Sequence, residues 1–169
     1  MNIEKKIIIT DTNIITDLYI ADILIEFINL DNVYISDVIK SSEINNKTCD
    51  LKLLNQFKSI ESTSEQIKEA TYLSTIERKL SVFDLLNYVI CRDNSCTLAT
   101  GDNCLKKYCE KNNIKVIRTL KIIKELYNLK IISKEKSIEA CIKLKESFKV
   151  RIPIKEIDNL IKELEKDSN

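Results

Sequence analysis

The chain has no histidine, and its 169 residues include only one glycine and one proline. The missing imidazole excludes Ser-His-Asp and Cys-His catalysis, histidine-pair nucleases and histidine metal sites. Hydrolytic chemistry would have to use carboxylates, lysines or a metal held by oxygen. A single Gly and a single Pro leave little room for flexible linkers or low-complexity segments. Long hydrophobic runs are also missing: the start "MNIEKKIIITDT" offers only "IIIT", too short for a signal peptide or a membrane span, and this predicts a cytoplasmic protein with no membrane partner. The six cysteines, at 49, 91, 96, 104, 109 and 141, contain no C-x-x-C pair. That spacing, together with the lack of histidine, argues against zinc and for reduced structural thiols.

What is present is ordinary for a folded domain: 44% hydrophobic residues, 31% charged residues and a net charge of +1. A chain of this length buries roughly two thirds of its unfolded surface in one core. The charge is unevenly spread. Residues 1–102 carry 10 basic and 16 acidic side chains, whereas residues 103–169 carry 17 and 10. An acidic front half and a basic back half suit a cation site paired with a polyanion-binding surface, although solvated lysine-rich helix faces give the same count.

Short β-branched runs alternate with helical patterns. Strands are expected at Ile7–Thr10, Asn32–Ser36, within "KSIES" (58–62), in "CTLAT" (96–100) and at Lys115–Ile117. Between them, helical spacing runs through Ile14, Ile15, Leu18, Ala21, Leu24, Ile25 and Ile28 as one helix. It recurs over Val38, Ile39 and Ile44, from Leu51 to Phe57, from Ser64 to Lys79, onward from Ser81, and from Cys104 to Lys111. From Thr119 the pattern is purely helical, with Pro153 at the first turn of the last helix. This alternation predicts an α/β fold, a parallel sheet with helices on both faces.

In such sheets ligands bind outside the carboxyl ends of the strands. Asp11 follows "IIIT" and Asp102 follows "TLAT", so two strands deliver an aspartate to one edge. Gly101, the only glycine, reads as the residue that permits the bend before Asp102, through positive φ or close backbone approach. Asp84 stands in the first turn of the helix opened by Ser81, and Glu43 about two turns after the strand ending at Ser36. Each acid has a simpler explanation: "DTNI" and "SVFD" are helix-start signals, Gly-Asp is a common surface turn, and Glu43 alone is a surface helix residue. Asp37 competes with Glu43 but reads better as a helix cap. As a set the acids make a different case. Two carboxylates about 4 Å apart repel by roughly 4 kcal/mol at an effective dielectric of 20, so several converging require a cation. Magnesium or manganese, with oxygen ligands and retained waters, suits a cluster without His or Cys, and permits phosphodiester hydrolysis.

The segments "IIITDTNIITDL", "VYISDVIKSSEI", "LSVFDLLNYVI" and "TLATGDNCLKKYCEKNNIKVI", spanning roughly residues 5–118, together resemble the PIN-domain nucleases, which include VapC-type toxins of bacterial toxin-antitoxin pairs. The resemblance implies a three-layer α/β/α sandwich over residues 1–118, with Asp11, Glu43, Asp84 and Asp102 as metal-binding catalytic acids. It implies Asn13 and Thr100 as flanking polar residues, and Ser81 as the group orienting the third acid. It also implies a Mg2+- or Mn2+-dependent endoribonuclease acting on single-stranded or loop RNA, a homodimer, and an antitoxin as protein partner. Residues 119–169 resemble the helical extension of a prokaryotic PIN-like subgroup, with Arg118 and Lys121 where that subgroup has glycines around Thr-Leu. The extension's apolar positions, among them Ile122, Leu126, Cys141, Ile142, Ile157 and Leu164, serve to pack on the same domain, to form a dimer seam or to dock an antitoxin, the first two being favoured.

Two other readings compete with the nuclease. One is a catalytically silent PIN scaffold that binds RNA or a protein through its lysine-rich tail. The other is an aspartate-nucleophile phosphatase, which the Asn13 in "DTN" disfavours because that class has a second aspartate there.

Overall fold

Short β-branched strands gain most when both faces are covered by helices, and the chain folds accordingly. The structure, a computed structural model, describes residues 8–44 and 49–167. Five strands, β1 (Ile8–Thr10), β2 (Val33–Ser36), β3 (Ser59–Ile60), β4 (Thr97–Ala99) and β5 (Lys115–Ile117), pair in the order β3-β2-β1-β4-β5. Every pairing is parallel, with Ile8 opposite Val33 on one side and Thr97 on the other. Ile7, expected to open the first strand, lies outside the described residues.

Alternate residues of these strands enter two separate apolar clusters, as a two-residue period requires. Val33, Ile35, Ala99 and Ile117 face a layer built from α1 (Thr12–Ile20), α2 (Leu24–Ile28), α7 (Thr119–Asn128), α8 (Lys134–Glu146) and α9 (Ile154–Lys166). Ile9 and Leu98 face the opposite layer, α4 (Ser64–Ile76), α5 (Val82–Asp93) and α6 (Asn103–Lys111). The fold is therefore an α/β sandwich with a helical C-terminal part. Ile122, Leu126, Cys141, Leu144, Ile157 and Leu164 from the last three helices share one cluster with Ile14, Leu18 and Phe27. Ile142, expected on the apolar side of the extension, is exposed. Among the described residues, no helix is long and apolar enough to cross a membrane.

The scarcity of glycine shows at the helix ends. The single helix expected from Ile14 to Ile28 is instead two helices, because Asp22 takes a left-handed φ of 58°. The amide of Ile23 then donates back to the Leu18 carbonyl (3.1 Å) and that of Asp22 to Tyr19 (3.1 Å). This pair of bonds is a Schellman closure, which usually has glycine at its left-handed position. The same closure recurs with Ser95 (φ 53°), Asn113 (φ 61°) and Lys130 (φ 58°) ending α5, α6 and α7. Residues 51–56, expected as an α-helix, form a 3-10 helix, and α4 stops at Ile76 instead of Lys79. The start of α4 follows from local chemistry: the Thr63 hydroxyl accepts from the Gln66 amide (3.2 Å) while the Gln66 side chain accepts from the Thr63 amide (3.1 Å).

Left-handed backbone costs an ordinary side chain about 1–2 kcal/mol and glycine almost nothing. Lys130→Gly is therefore expected to raise unfolding free energy by about 1 kcal/mol, read from the urea midpoint.

Candidate active site

Strands are added from β1 outward to β2 and β3 on one side, then to β4 and β5 on the other. The carboxyl ends of β1 and β4 thus mark the point where the order reverses, which is where open parallel sheets form their binding crevice. The Asp11 amide donates to the Ala99 carbonyl (2.9 Å) and the Thr100 amide to Ile117 (3.1 Å), so the sheet extends into both loops.

Asp11 occupies the N-cap position of α1, yet its side chain makes no capping bond. Its Oδ2 accepts instead from the Thr100 hydroxyl (2.9 Å) and the Asn13 amide (3.2 Å). Asp11 is only 4% exposed and Thr100 not at all. The Thr100 Oγ1 that donates to Asp11 also accepts from the Asp102 amide (3.1 Å), and so one hydroxyl ties both strand ends together. Asp102 does cap α6, with Oδ1 accepting from the Leu105 amide (2.7 Å).

The other two acids arrive from different elements. Asp84 completes a capping box at the start of α5, where its Oδ2 accepts from the Ser81 amide and hydroxyl (both 2.8 Å). These bonds engage one oxygen and fix the orientation of the carboxylate. Glu43 ends α3 (Asp37–Ser42), and its Oε2 accepts from the Thr12 hydroxyl (3.3 Å). Thr12, which sequence reasoning passed over, shares that proton with Asp11 Oδ1 (3.4 Å) and so joins Glu43 to Asp11. Asp37 serves the scaffold instead. Its Oδ1 accepts from the Val38 amide (2.8 Å), the Ser62 amide (3.0 Å) and the Ser62 hydroxyl (2.8 Å), tying the ends of β2 and β3.

Electrostatics couple acids that hydrogen bonds do not connect. Burial pushes the Asp11 carboxyl above the usual carboxylate range, and the charge of Asp84 pushes it further, against the Thr100 and Asn13 bonds. Burial likewise raises Glu43, with the charges of Asp11 and Asp84 adding to it. Asp84 reaches Cys109 too, a thiol raised to about 12 chiefly by burial. All six cysteines are free, and all but Cys104 are buried.

The donor set is all oxygen, which fits magnesium or manganese. Among the described residues, no three acidic or thiol groups stand close enough to cage an ion by direct contact alone. Magnesium usually binds through one or two carboxylates and keeps several waters, so direct contact from all four acids is unnecessary. A cleft of about 960 Å3 lies elsewhere, between the α7–α8 turn and Asp167, and its lining includes none of the four acids.

Gly101 does not play the part expected of it. No glycine here has positive φ, and a methyl group at Gly101 would meet the Asn13 Cβ at an ordinary 3.6 Å. The turn is held instead by the Thr100 hydroxyl under the Asp102 amide and by Arg118, whose Nη2 donates to the Gly101 carbonyl (3.1 Å). Arg118 stood out in the sequence only as a departure from glycine.

Gly101→Ala is consequently expected to fold normally and to gain about 0.4–1 kcal/mol from a less flexible unfolded chain, measured by urea unfolding. A second test concerns pH. A carboxyl whose folded pKa is raised binds more protons in the folded state, so stability falls as pH climbs from the unfolded value through the folded one. Metal-free Asp11→Asn should therefore lose less stability than the parent between acid and neutral pH, measured as the difference in unfolding free energy across that window. Compared with known proteins, the chain matches no family model, no curated protein and no solved structure.

Proposed function

We propose that this chain is a divalent-metal-dependent nuclease that hydrolyses RNA phosphodiester bonds, with Asp11, Glu43, Asp84 and Asp102 as its acidic site. The observation that carries this reading is the Asp11 carboxylate at the strand-order switch point, raised chiefly by burial and further by Asp84's charge while it adds its own charge to Glu43. Carboxylates that oppose one another in the free protein gain from a bound cation what they lose to mutual repulsion. Asp11, Asp84 and Asp102 would hold the ion partly through its retained waters, with Glu43 beside them. A bound magnesium or manganese ion supplies water activation and charge neutralisation on a phosphoryl oxygen.

The chain's own groups supply positioning and a proton carrier. Thr100 and Asn13 hold Asp11 Oδ2, and Ser81 holds Asp84 Oδ2. Glu43 is the less buried of the two raised acids, and its raised pKa suits it to carry a proton to or from the reacting phosphodiester. The four acidic segments that carry the PIN-type resemblance are the segments that supply these side chains.

Purified protein is expected to cleave a mixed single-stranded RNA pool with manganese or magnesium and to stop with EDTA. Asp11→Asn should abolish cleavage, and Glu43→Gln should slow it by roughly 10²–10⁴-fold. Folded protein that neither cleaves RNA nor binds manganese would instead fit the silent scaffold.

A further inference from the structure

Beside the acidic edge, a cavity of about 260 Å3 is lined by Asn13, Gly101, Asp102 and Arg118 on one side and by Lys149 and Arg151 on the other. The last two belong to the connection between α8 and α9, the segment "SFKVRIP" (147–153). Lysines just before it are paired: Lys143 with Asp22 (3.0 Å) and Glu139 (2.9 Å), and Lys145 with Asp158 (2.6 Å). Lys149 and Arg151 are exposed and make no ion pair among the described residues. The two carboxylates on the cavity wall are already held, Asp17 by the Thr119 hydroxyl (2.7 Å) and Asp102 by the Leu105 amide (2.7 Å). Arg118 commits one of its N–H donors to the Gly101 carbonyl and lowers the pKa of Asp17 by its charge, against the larger effect of burial. Three cations thus face two engaged carboxylates.

On the same connection Phe148 precedes Lys149 in the chain and is 94% exposed, the most exposed large apolar side chain described; it lines an adjoining cavity that shares Ile152 with this one. An uncovered aromatic ring one cavity away from exposed Lys and Arg on the same loop is a combination that suits single-stranded nucleic acid: cations track the backbone and a ring stacks a base. Guanidinium forks match phosphate oxygens geometrically, and lysine adds a point charge. We propose that the α8–α9 connection and Arg118 form a docking site for single-stranded nucleic acid, with Arg118, Lys149 and Arg151 holding a backbone phosphate beside Asp102 and Phe148 stacking an adjacent base. The choice of ligand rests on the nuclease reading, but the binding requires neither metal nor turnover.

The test is fluorescence anisotropy of a labelled single-stranded oligouridine with the full chain in EDTA, across a salt series. Lys149→Ala/Arg151→Ala is expected to weaken binding by roughly 10-fold or more at low salt and to flatten the salt slope by roughly 0.7 for each phosphate that is no longer neutralised. Phe148→Ala should weaken it by roughly 10-fold. Lys68→Ala/Lys162→Ala removes the same charge from exposed sites elsewhere and should change binding little. Unchanged affinity in the loop variants, equal loss in the control, no binding by the parent, or displacement by polyglutamate as effective as by unlabelled oligouridine would each overturn the proposal. The last result would assign the site to acidic peptides. Metal-dependent cleavage that Asp11→Asn abolishes, with loop variants that bind normally, would retire this proposal alone. Loop-dependent binding in a protein without hydrolytic activity would retire the nuclease reading alone.

Discussion

The Thr100 hydroxyl, fully buried, gives its proton to Asp11 and takes one from the Asp102 amide. The rest of the candidate site depends on that one group. It needs the β1–β4 register, with Thr10 opposite Ala99, to put the end of one strand beside the start of the next loop. The register in turn needs Ile9 and Leu98 on one face of the sheet and Ala99 on the other, because a slip by one residue would exchange the two apolar clusters. A valine in place of Thr100 would keep the shape but leave the Asp11 carboxylate and the Asp102 amide without their shared partner.

The acids are placed by four separate local devices: a strand end for Asp11, a capping box for Asp84, a helix cap for Asp102 and the end of α3 for Glu43. Each device satisfies some oxygens with fixed donors, which limits the cost of burying negative charge. The donors named here, the hydroxyls of Ser81, Thr12 and Thr100 and the Asn13 amide, are neutral. The helical C-terminal part contributes from a distance. Its apolar faces complete the layer over α1 and α2, while the α8–α9 connection carries unpaired positive charge to the edge of the acidic site.

Much of this was legible in the sequence for identifiable reasons. The run "KVI" marked β5 with its observed bounds, Ser81 marked the start of α5, and "IIIT" followed by an aspartate put Asp11 at a strand end. These signals are local, since periodicity and capping act within a few residues. The break between α1 and α2 was not legible, because the left-handed residue is Asp22 and glycine is the usual sign of such an end. The one glycine misled for the converse reason: the Gly101 turn is fixed by contacts from Thr100 and Arg118, which no local pattern announces. Thr12 and the Lys149–Arg151 pair escaped notice because their significance comes from residues far away in the chain.

Asp11 and Thr100 are 89 positions apart. Bringing such distant segments together carries a loop-closure entropy that local helices do not incur, and topologies dominated by contacts of this kind fold slowly. While β1 and β4 remain unzipped, Asp11 and Asp102 belong to separate coils, each solvated, and the Thr100 hydroxyl bridges neither to the other. The acidic edge is therefore a property of the closed sheet alone: no fragment containing only one of these strands carries it, and local opening of β4 disperses it at once.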